Sequence, residues 1–107
     1  MSASIGVLLM AYGTPRDLSE VEPYYRSIRG GRAPTAEEVS GLTERYRRVG
    51  GKTALLEITN RVAASLEQRL NEGRQSSYRV YVGMKHWHPF IADTVPLIAA
   101  DGVQQLI

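Results

Sequence analysis

The side chains best suited to chemistry stand where two apolar runs end. Tyr12 directly follows the run Ile5–Ala11, and His86 and His88 follow a second run. A tyrosine in that position can offer its hydroxyl to a ligand or metal, or its ring can pack under the loop, and position alone leaves the two even. Histidine is the commonest metal ligand, but residues two apart in extended chain face opposite ways. One packed and one solvated histidine is therefore favoured over a metal-binding pair.

Arginine occurs in two clusters near these breaks. A planar guanidinium is suited to bidentate recognition of carboxylates and phosphates, so an anionic ligand is one interpretation. A solvated helix face is the other, and composition alone favours it. The clusters are Arg26, Arg29 and Arg32, then Arg45, Arg47 and Arg48.

A glycine pair followed by Lys52 and Thr53 resembles the end of a phosphate-binding loop but does not complete the motif. The first glycine of G-x-x-x-x-G-K-[ST] would fall at Tyr46, and the segment follows a predicted helix rather than a strand. Thr53 either offers its hydroxyl to an anion at a helix N-terminus or caps that helix, and the cap is favoured. The sequence shows neither a Ser/His/Asp constellation nor paired carboxylates at predicted strand ends.

Composition excludes several classes of function. The chain of 107 residues has a net charge of +2, which is too small to argue for a nucleic-acid partner. It contains no cysteine, so disulfides and thiolate metal sites are ruled out. Residues 1–11 lack a basic leading region and are too short to cross a bilayer. We therefore expect a cytoplasmic protein, with peripheral membrane contact left open.

Three strands are predicted to position these side chains. The unbroken apolar run Ile5–Ala11 is typical of a strand buried on both faces of a parallel sheet. Tyr78–Met84 alternates and is rich in β-branched and aromatic residues, which predicts a second strand. Residues 103–107 resemble the start of a third.

Four helices are predicted between the strands. The pairs Ser19/Glu22 and Thr35/Glu38 form capping boxes that begin the first two. Glycine pairs end both of these helices. The third helix has the apolar stripe Leu55, Ile58, Val62, Leu66 and Leu70. The fourth begins at Pro89, with the buried face Ile91, Val95 and Ile98.

The order of elements predicts an α/β fold, a doubly wound parallel sheet. Ligands of such sheets bind outside the carboxyl ends of the strands, where Tyr12, His86 and His88 are expected. Three strands are few for this architecture and the third would leave an open edge. Residues 1–107 are therefore expected to be the N-terminal part of a single, larger α/β domain.

Four separated segments resemble the ferrochelatase family, particularly the bacterial type that metallates coproporphyrin. They are LLMAYGTP at 8–15, IRGGR at 28–32, RY at 45–46 with GGKTAL at 50–55, and GMKHWHPFI at 83–91. They occur in the family's order and spacing and cover nearly the whole chain. The resemblance implies one incomplete half of a flavodoxin-like, chelatase-like fold, in which two halves enclose a porphyrin cleft.

The resemblance also implies a reaction and a site. Ferrous iron replaces two pyrrole protons of coproporphyrin III or protoporphyrin IX in heme biosynthesis, so iron and porphyrin are substrates and no tightly bound cofactor is expected. Tyr12 would face the metal from one axial side. No catalytic residue is implied here, because the family's catalytic histidine and its partner glutamate lie in the remainder of the chain. The implied porphyrin-binding residues are Tyr12, Arg29, Arg45, Tyr46 and Thr53.

Two positions depart from the family pattern. Thr53-Ala54 stands where the glycine loop more often carries serine and proline, and Gly30 stands where some relatives have a second arginine.

The alternative hypothesis is a non-catalytic module that binds a tetrapyrrole or another anion. An unrelated nucleotide or flavin binder is disfavoured, because the first loop lacks a phosphate-binding pattern.

Overall fold

The structure is a computed structural model that describes residues 5–73 and 77–107. A parallel sheet in the order β2-β1-β3 is built from β1 (Ile5–Ala11), β2 (Tyr78–Met84) and β3 (Gln105–Leu106). The predicted α/β class and the bounds of the first two strands are confirmed. The third strand begins two residues later than predicted.

The helices lie between the strands in sequence. A 3-10 turn at Leu18–Glu20 leads into α1 (Val21–Ile28), which packs against α2 (Ala36–Arg48). The next helix, α3 (Leu55–Asn71), lies on β2 and β1, and α4 (Ile91–Ala100) lies on β2. Within residues 5–73 and 77–107, no helix is long and apolar enough to cross a membrane.

Of the two predicted capping boxes, one is confirmed and one is wrong. Glu38 N–H donates to Thr35 Oγ1 at 3.1 Å, and the Glu38 carboxylate accepts from Thr35 N–H at 3.0 Å. Ser19 does not cap α1, because its own N–H donates to Asp17 Oδ1 at 2.9 Å. That bond begins the 3-10 turn, and α1 then starts at Val21 without a side-chain cap.

The predicted apolar face of α3 is displaced. Ile58 and Val62 are 54% and 48% exposed, whereas Thr59 and Ala63 are buried. The helix therefore presents small side chains to the sheet, which lets the two backbones approach closely. The 3.6-residue period marks an apolar stripe but does not say which edge of it meets the strands.

The fourth helix begins later than predicted, and a hydrogen bond to β2 sets which of its faces is buried. It starts at Ile91 rather than Pro89, with Phe90 at the N-cap. Thr94 Oγ1 donates to Val82 O at 2.9 Å, which holds that side of the helix against β2. Thr94 and Ile98 are consequently buried and Val95 is exposed, so the predicted burial of Val95 is wrong.

The outer edge of β2 is closed by side chains. Asn71 Nδ2 donates to Tyr78 O at 2.9 Å, and Asn71 Oδ1 accepts from Tyr78 N–H at 2.8 Å. Glu67 accepts from Val80 N–H at 2.9 Å. Together with the Thr94 bond, these contacts satisfy backbone groups that an edge strand otherwise leaves to solvent.

The central strand is not buried on both faces, contrary to prediction. Met10 is 65% exposed, although it lies in the middle of the sheet. The helix on its face, α4, packs against β2 and leaves the surface over Met10 open. Several of the buried large side chains lie around the carboxyl end of the sheet instead: Val21, Tyr24, Met84 and Trp87.

Candidate functional site

Tyr12 lies at the carboxyl end of the central strand with its side chain in solvent. The residue is 53% exposed, so its ring does not pack under the loop. His86 N–H donates to Tyr12 O at 2.9 Å, which extends the pairing of β1 and β2 by one step. The two rings meet at 4.7 Å between centroids with a tilt of 60°. A phenol and an imidazole are thus presented side by side at the sheet end.

The two histidines of the second loop point to different surroundings, as predicted from their spacing. His86 is half-buried, with Nδ1 3.4 Å from Ser27 Oγ. His88 is exposed and its ring packs edge-on against Phe90 at 4.7 Å. Across the described ranges 5–73 and 77–107, no three His, Asp or Glu side chains gather closely enough to hold a metal ion.

A close backbone approach joins the loops that follow β1 and β2. Gly13 has a φ of 99°, a positive value that glycine adopts far more readily than other residues. A Cβ at this position would lie 2.9 Å from the Trp87 backbone nitrogen. The loop that carries Tyr12 therefore packs directly on the loop that carries His86, and a larger residue at position 13 would separate them.

Trp87 and Glu20 lock these loops together, and sequence reasoning missed both. The buried Trp87 donates its indole N–H to Glu20 Oε1 at 2.9 Å. The same oxygen accepts Arg16 N–H at 2.8 Å. Partial desolvation acts to raise the pKa of Glu20, but the hydrogen bonds from Arg16 and Trp87 outweigh it and lower that pKa. The one available signal was the single tryptophan of the chain, placed between the two histidines.

Tyr46 joins the same cluster through Tyr24. The Tyr24 and Tyr46 rings lie 6.5 Å apart at 84°, and Tyr24 and Trp87 lie 6.3 Å apart at 89°; both are edge-to-face contacts. Burial, followed by the neighbouring Tyr46 phenol, raises the pKa of Tyr24. Tyr24 is therefore a neutral, buried link between α2 and the loop after β2.

Thr53 ties the glycine loop to the first loop instead of capping α3. Its hydroxyl lies 2.5 Å from Thr14 Oγ1 and 3.4 Å from Pro15 O. Ala54 occupies the N-cap of α3 without a side-chain hydrogen bond, so the predicted cap is wrong. The threonine hydroxyl is engaged by the loop that follows Tyr12, which draws the N-terminus of α3 toward the sheet end.

An open cavity of about 360 Å³ lies beside Thr53. Its lining is Arg16, Lys52, Thr53, Ala54, Leu56 and Glu57. Two cationic side chains and the uncapped first turn of α3 favour an anion there, while the Glu57 carboxylate opposes one. The surface near Thr53 is therefore polar, with charges of both signs.

The Arg29 guanidinium is already engaged within the chain. Its Nη1 forms an ion pair with Glu38 Oε2, and its Cζ lies 5.7 Å from the centre of the Tyr25 ring. Its Nε is buried and has no hydrogen-bond partner in the described part of the chain. Arg29 thus joins the end of α1 to the start of α2 and keeps unused hydrogen-bonding capacity.

Arg45 differs from its neighbours in having a free charge. Arg47 and Arg48 approach Glu44 at 3.0 Å and 3.9 Å, as expected of a solvated helix face. The Arg26–Glu22 pair at 3.4 Å is of the same kind. Arg45 is exposed and forms no ion pair or hydrogen bond with any residue in the ranges 5–73 and 77–107.

The structure brings together only some of the five residues that the resemblance assigns to porphyrin. Three sets of contacts lie near the sheet end: Tyr12 meets His86, Tyr46 reaches Trp87 through Tyr24, and Thr53 bonds Thr14, two residues after Tyr12. Arg29 and Arg45 make no hydrogen bond or ring contact with those three among the residues described. Glu38, which holds Arg29, and Arg45 are seven residues apart on α2, or roughly 10 Å along the helix. The Arg29–Glu38 pair and Arg45 are therefore about two helical turns apart along α2.

Comparison with known proteins matches this chain to one family. A family model described as ferrochelatase matches residues 4–107. The ferrochelatase of Herpetosiphon aurantiacus is 51% identical over 107 residues, which are 100% of this chain and 35% of that protein. The coproporphyrin III ferrochelatase of Halalkalibacterium halodurans is 49% identical over 104 residues, which are 96% of this chain and 34% of that protein.

A more distant relative gives the same coverage. The coproporphyrin III ferrochelatase of Staphylococcus saprophyticus is 43% identical over 108 residues, covering 100% of this chain and 35% of that protein. The chain thus spans about a third of the length of the curated relatives it matches.

Proposed function

The chain belongs to the ferrochelatase family, and from that premise we propose that it forms one wall of the porphyrin site in an enzyme that inserts ferrous iron into a porphyrin. Coproporphyrin III is the preferred substrate in this proposal, because several relatives carry that name. Porphyrin and ferrous iron are substrates, and no tightly bound cofactor is invoked. The remainder of a ferrochelatase chain supplies the opposite wall.

The position of Tyr12 is the observation that carries this proposal. Its phenol is exposed at the carboxyl end of the central strand, beside His86, where ligands of parallel α/β sheets bind. In this arrangement the tyrosine ring and hydroxyl face the centre of the macrocycle on one side. The aromatic network behind it keeps that surface rigid while the substrate is bound.

The two arginines suit the carboxylates at the rim of the macrocycle. A guanidinium binds a carboxylate through parallel, charge-assisted hydrogen bonds. Arg45 is free to do so at once, whereas Arg29 has one nitrogen on Glu38. In this proposal Tyr46 and Thr53 line the same porphyrin site. This chain's own residues therefore bind and orient the porphyrin.

The test is a titration of this chain with coproporphyrin III, followed by the shift of the Soret absorbance band. We expect saturable binding that Arg45→Gln weakens about tenfold, the usual effect of losing one charge-assisted hydrogen bond. Arg48→Gln, which removes the same charge from the same helix but from an arginine paired with Glu44, should leave the affinity unchanged. Equal losses in the two variants would show general charge attraction and count against the site.

Turnover is expected to need more than these residues. The family resemblance implies that the catalytic histidine and glutamate lie in the remainder of the chain, so residues 1–107 alone should bind porphyrin without inserting zinc or iron. An insertion assay with this chain alone checks that expectation. Measurable turnover would refute it.

The cavity beside Thr53 favours one second candidate, a non-catalytic module for anions. Arg16 and Lys52 line that cavity together with the first turn of α3. If the affinity of this chain for inorganic phosphate equals its affinity for coproporphyrin III, the result favours the second candidate over the porphyrin site.

A further inference from the structure

Glu38 places a carboxylate on the guanidinium of one predicted porphyrin ligand. Its Oε2 pairs with Arg29 Nη1, and the two side chains are only 33% and 26% exposed. Of the two arginines assigned to the porphyrin, Arg29 is thus occupied by an internal anion, whereas Arg45 has no such partner among the described residues.

The carboxylate of Glu38 is held in place by a second set of bonds. Its other oxygen, Oε1, accepts Thr35 N–H at 3.0 Å, and Glu38 N–H donates to Thr35 Oγ1 at 3.1 Å. The backbone hydrogen bond from Thr35 lowers the pKa of Glu38, so the group stays ionised at neutral pH. The Arg29 guanidinium therefore already contacts a fixed, charged carboxylate, the same group that an anionic ligand would supply.

The remaining surface of Arg29 leaves little room for two carboxylates. One side of the guanidinium faces the Tyr25 ring at 5.7 Å, and Nε is buried. Because Nε is buried, a propionate that binds Arg29 through two parallel hydrogen bonds must use Nη2 together with Nη1, the nitrogen that Glu38 already occupies. Two carboxylates on one guanidinium also repel each other.

We propose that Glu38 occupies the propionate position on Arg29 and competes with porphyrin for it, so that it lowers the affinity of this chain for porphyrin. The inference rests on the proposed porphyrin site and adds a competing residue to it.

The variant Glu38→Gln tests the competition without disturbing the helix start. Glutamine serves in a capping box as glutamate does, so the bonds to Thr35 are retained while the charge on Arg29 is removed. Glu44→Gln is the matched control, because it makes the same charge change on α2 but frees Arg47 and Arg48 instead. Thermal unfolding of each variant shows whether the fold is intact.

Coproporphyrin III titrations of these proteins should show tighter binding by Glu38→Gln alone, by roughly two- to fivefold, the range expected for losing one partly exposed ion pair. In the background of Arg29→Met the effect of Glu38→Gln should vanish. Equal affinities of Glu38→Gln and Glu44→Gln overturn the inference, and weaker binding by Glu38→Gln shows that Glu38 positions Arg29 instead.

The porphyrin site and the competition by Glu38 can be overturned separately. If this chain binds coproporphyrin III but Glu38→Gln does not tighten binding, only the competition by Glu38 is overturned. If neither this chain nor any variant shifts the Soret band, the porphyrin site itself fails and the competition falls with it.

Discussion

A single carboxylate, that of Glu20, connects the two loops that form the candidate site. It accepts the Trp87 indole N–H and the Arg16 backbone N–H, and so joins the segment after β1 to the segment after β2. Tyr12 and His86 lie on those same segments. The relative position of the phenol and the imidazole therefore depends on a residue that touches neither ring.

Glu20→Gln should weaken this connection and change how stability depends on pH. Its pKa in the folded chain is below the usual value of 4.5, so its contribution is fully present above pH 4.5 and is lost as pH falls through the folded pKa. The variant should therefore lose about 1–2 kcal/mol of unfolding free energy at pH 7 and less at pH 3. Urea unfolding at a series of pH values, followed by the fluorescence of Trp87, measures both.

The control for that experiment is Glu37→Gln. Glu37 is exposed, and no hydrogen bond or ion pair of its side chain occurs within the described residues. Asp17 and Glu38 also have lowered pKa values, so some acid sensitivity should remain in every variant. A Glu20→Gln protein that retains the full pH dependence of the parent would contradict the role given to this carboxylate.

Among the secondary-structure elements, β2 shows how side chains complete an edge strand. Asn71 at the end of α3 acts as both donor and acceptor for the Tyr78 backbone. Glu67 and Thr94 serve the strand further along. Closure of this edge gives the sheet a definite boundary, because a further strand would have to displace these side chains.

Asn71→Ala should loosen the start of β2. The change removes two hydrogen bonds to Tyr78 and a third to Glu67 O, so we expect a loss of about 1–3 kcal/mol in unfolding free energy. Faster exchange of the Tyr78 amide hydrogen, measured by NMR, should accompany it. Asn60→Ala changes an exposed asparagine of the same helix and should have little effect. If the two variants are equally stable, Asn71 does not hold the strand edge.

The helices show where periodicity stops being informative. The bounds of β1 and β2 and the glycine pairs that end α1 and α2 follow from local residue types, and they were predicted. The burial of Ile98 on α4 was predicted correctly, but Ile58, Val62 and Val95 are exposed where Thr59 and Thr94 are buried instead. A threonine hydroxyl that bonds within its own helix or to the strand is compatible with burial.

For the whole molecule, the uncovered apolar surface is the dominant feature. Leu97 on α4 is 62% exposed, and Met10 on the central strand is 65% exposed. A helix as apolar as α4 is usually buried on all sides. The chain spans about a third of its relatives' length. We expect this exposed apolar surface to promote self-association of the isolated chain in solution.

Leu97→Lys should reduce self-association of this chain. Exposed apolar patches favour association, and a lysine on α4 opposes it without removing any contact with the sheet. Sedimentation velocity over a concentration series should show less association than in the parent chain, at an unchanged melting temperature. Gln68→Lys adds the same charge to an exposed polar position of α3. If Gln68→Lys reduces association as much as Leu97→Lys does, net charge rather than the apolar face is responsible.

The α/β class, the parallel sheet, the two long strands and the family could all be predicted from the amino-acid sequence. These follow from apolar runs, glycine pairs and ordered motifs, which are local patterns. Three contacts could be identified only in the folded chain: Trp87 bonds Glu20, Thr53 bonds Thr14, and Arg29 pairs with Glu38. The first two pairs are 67 and 39 residues apart. Which side chains meet depends on the packing of loops and helices at the sheet end, because hydrogen bonds and ion pairs need a geometry that residue spacing does not contain.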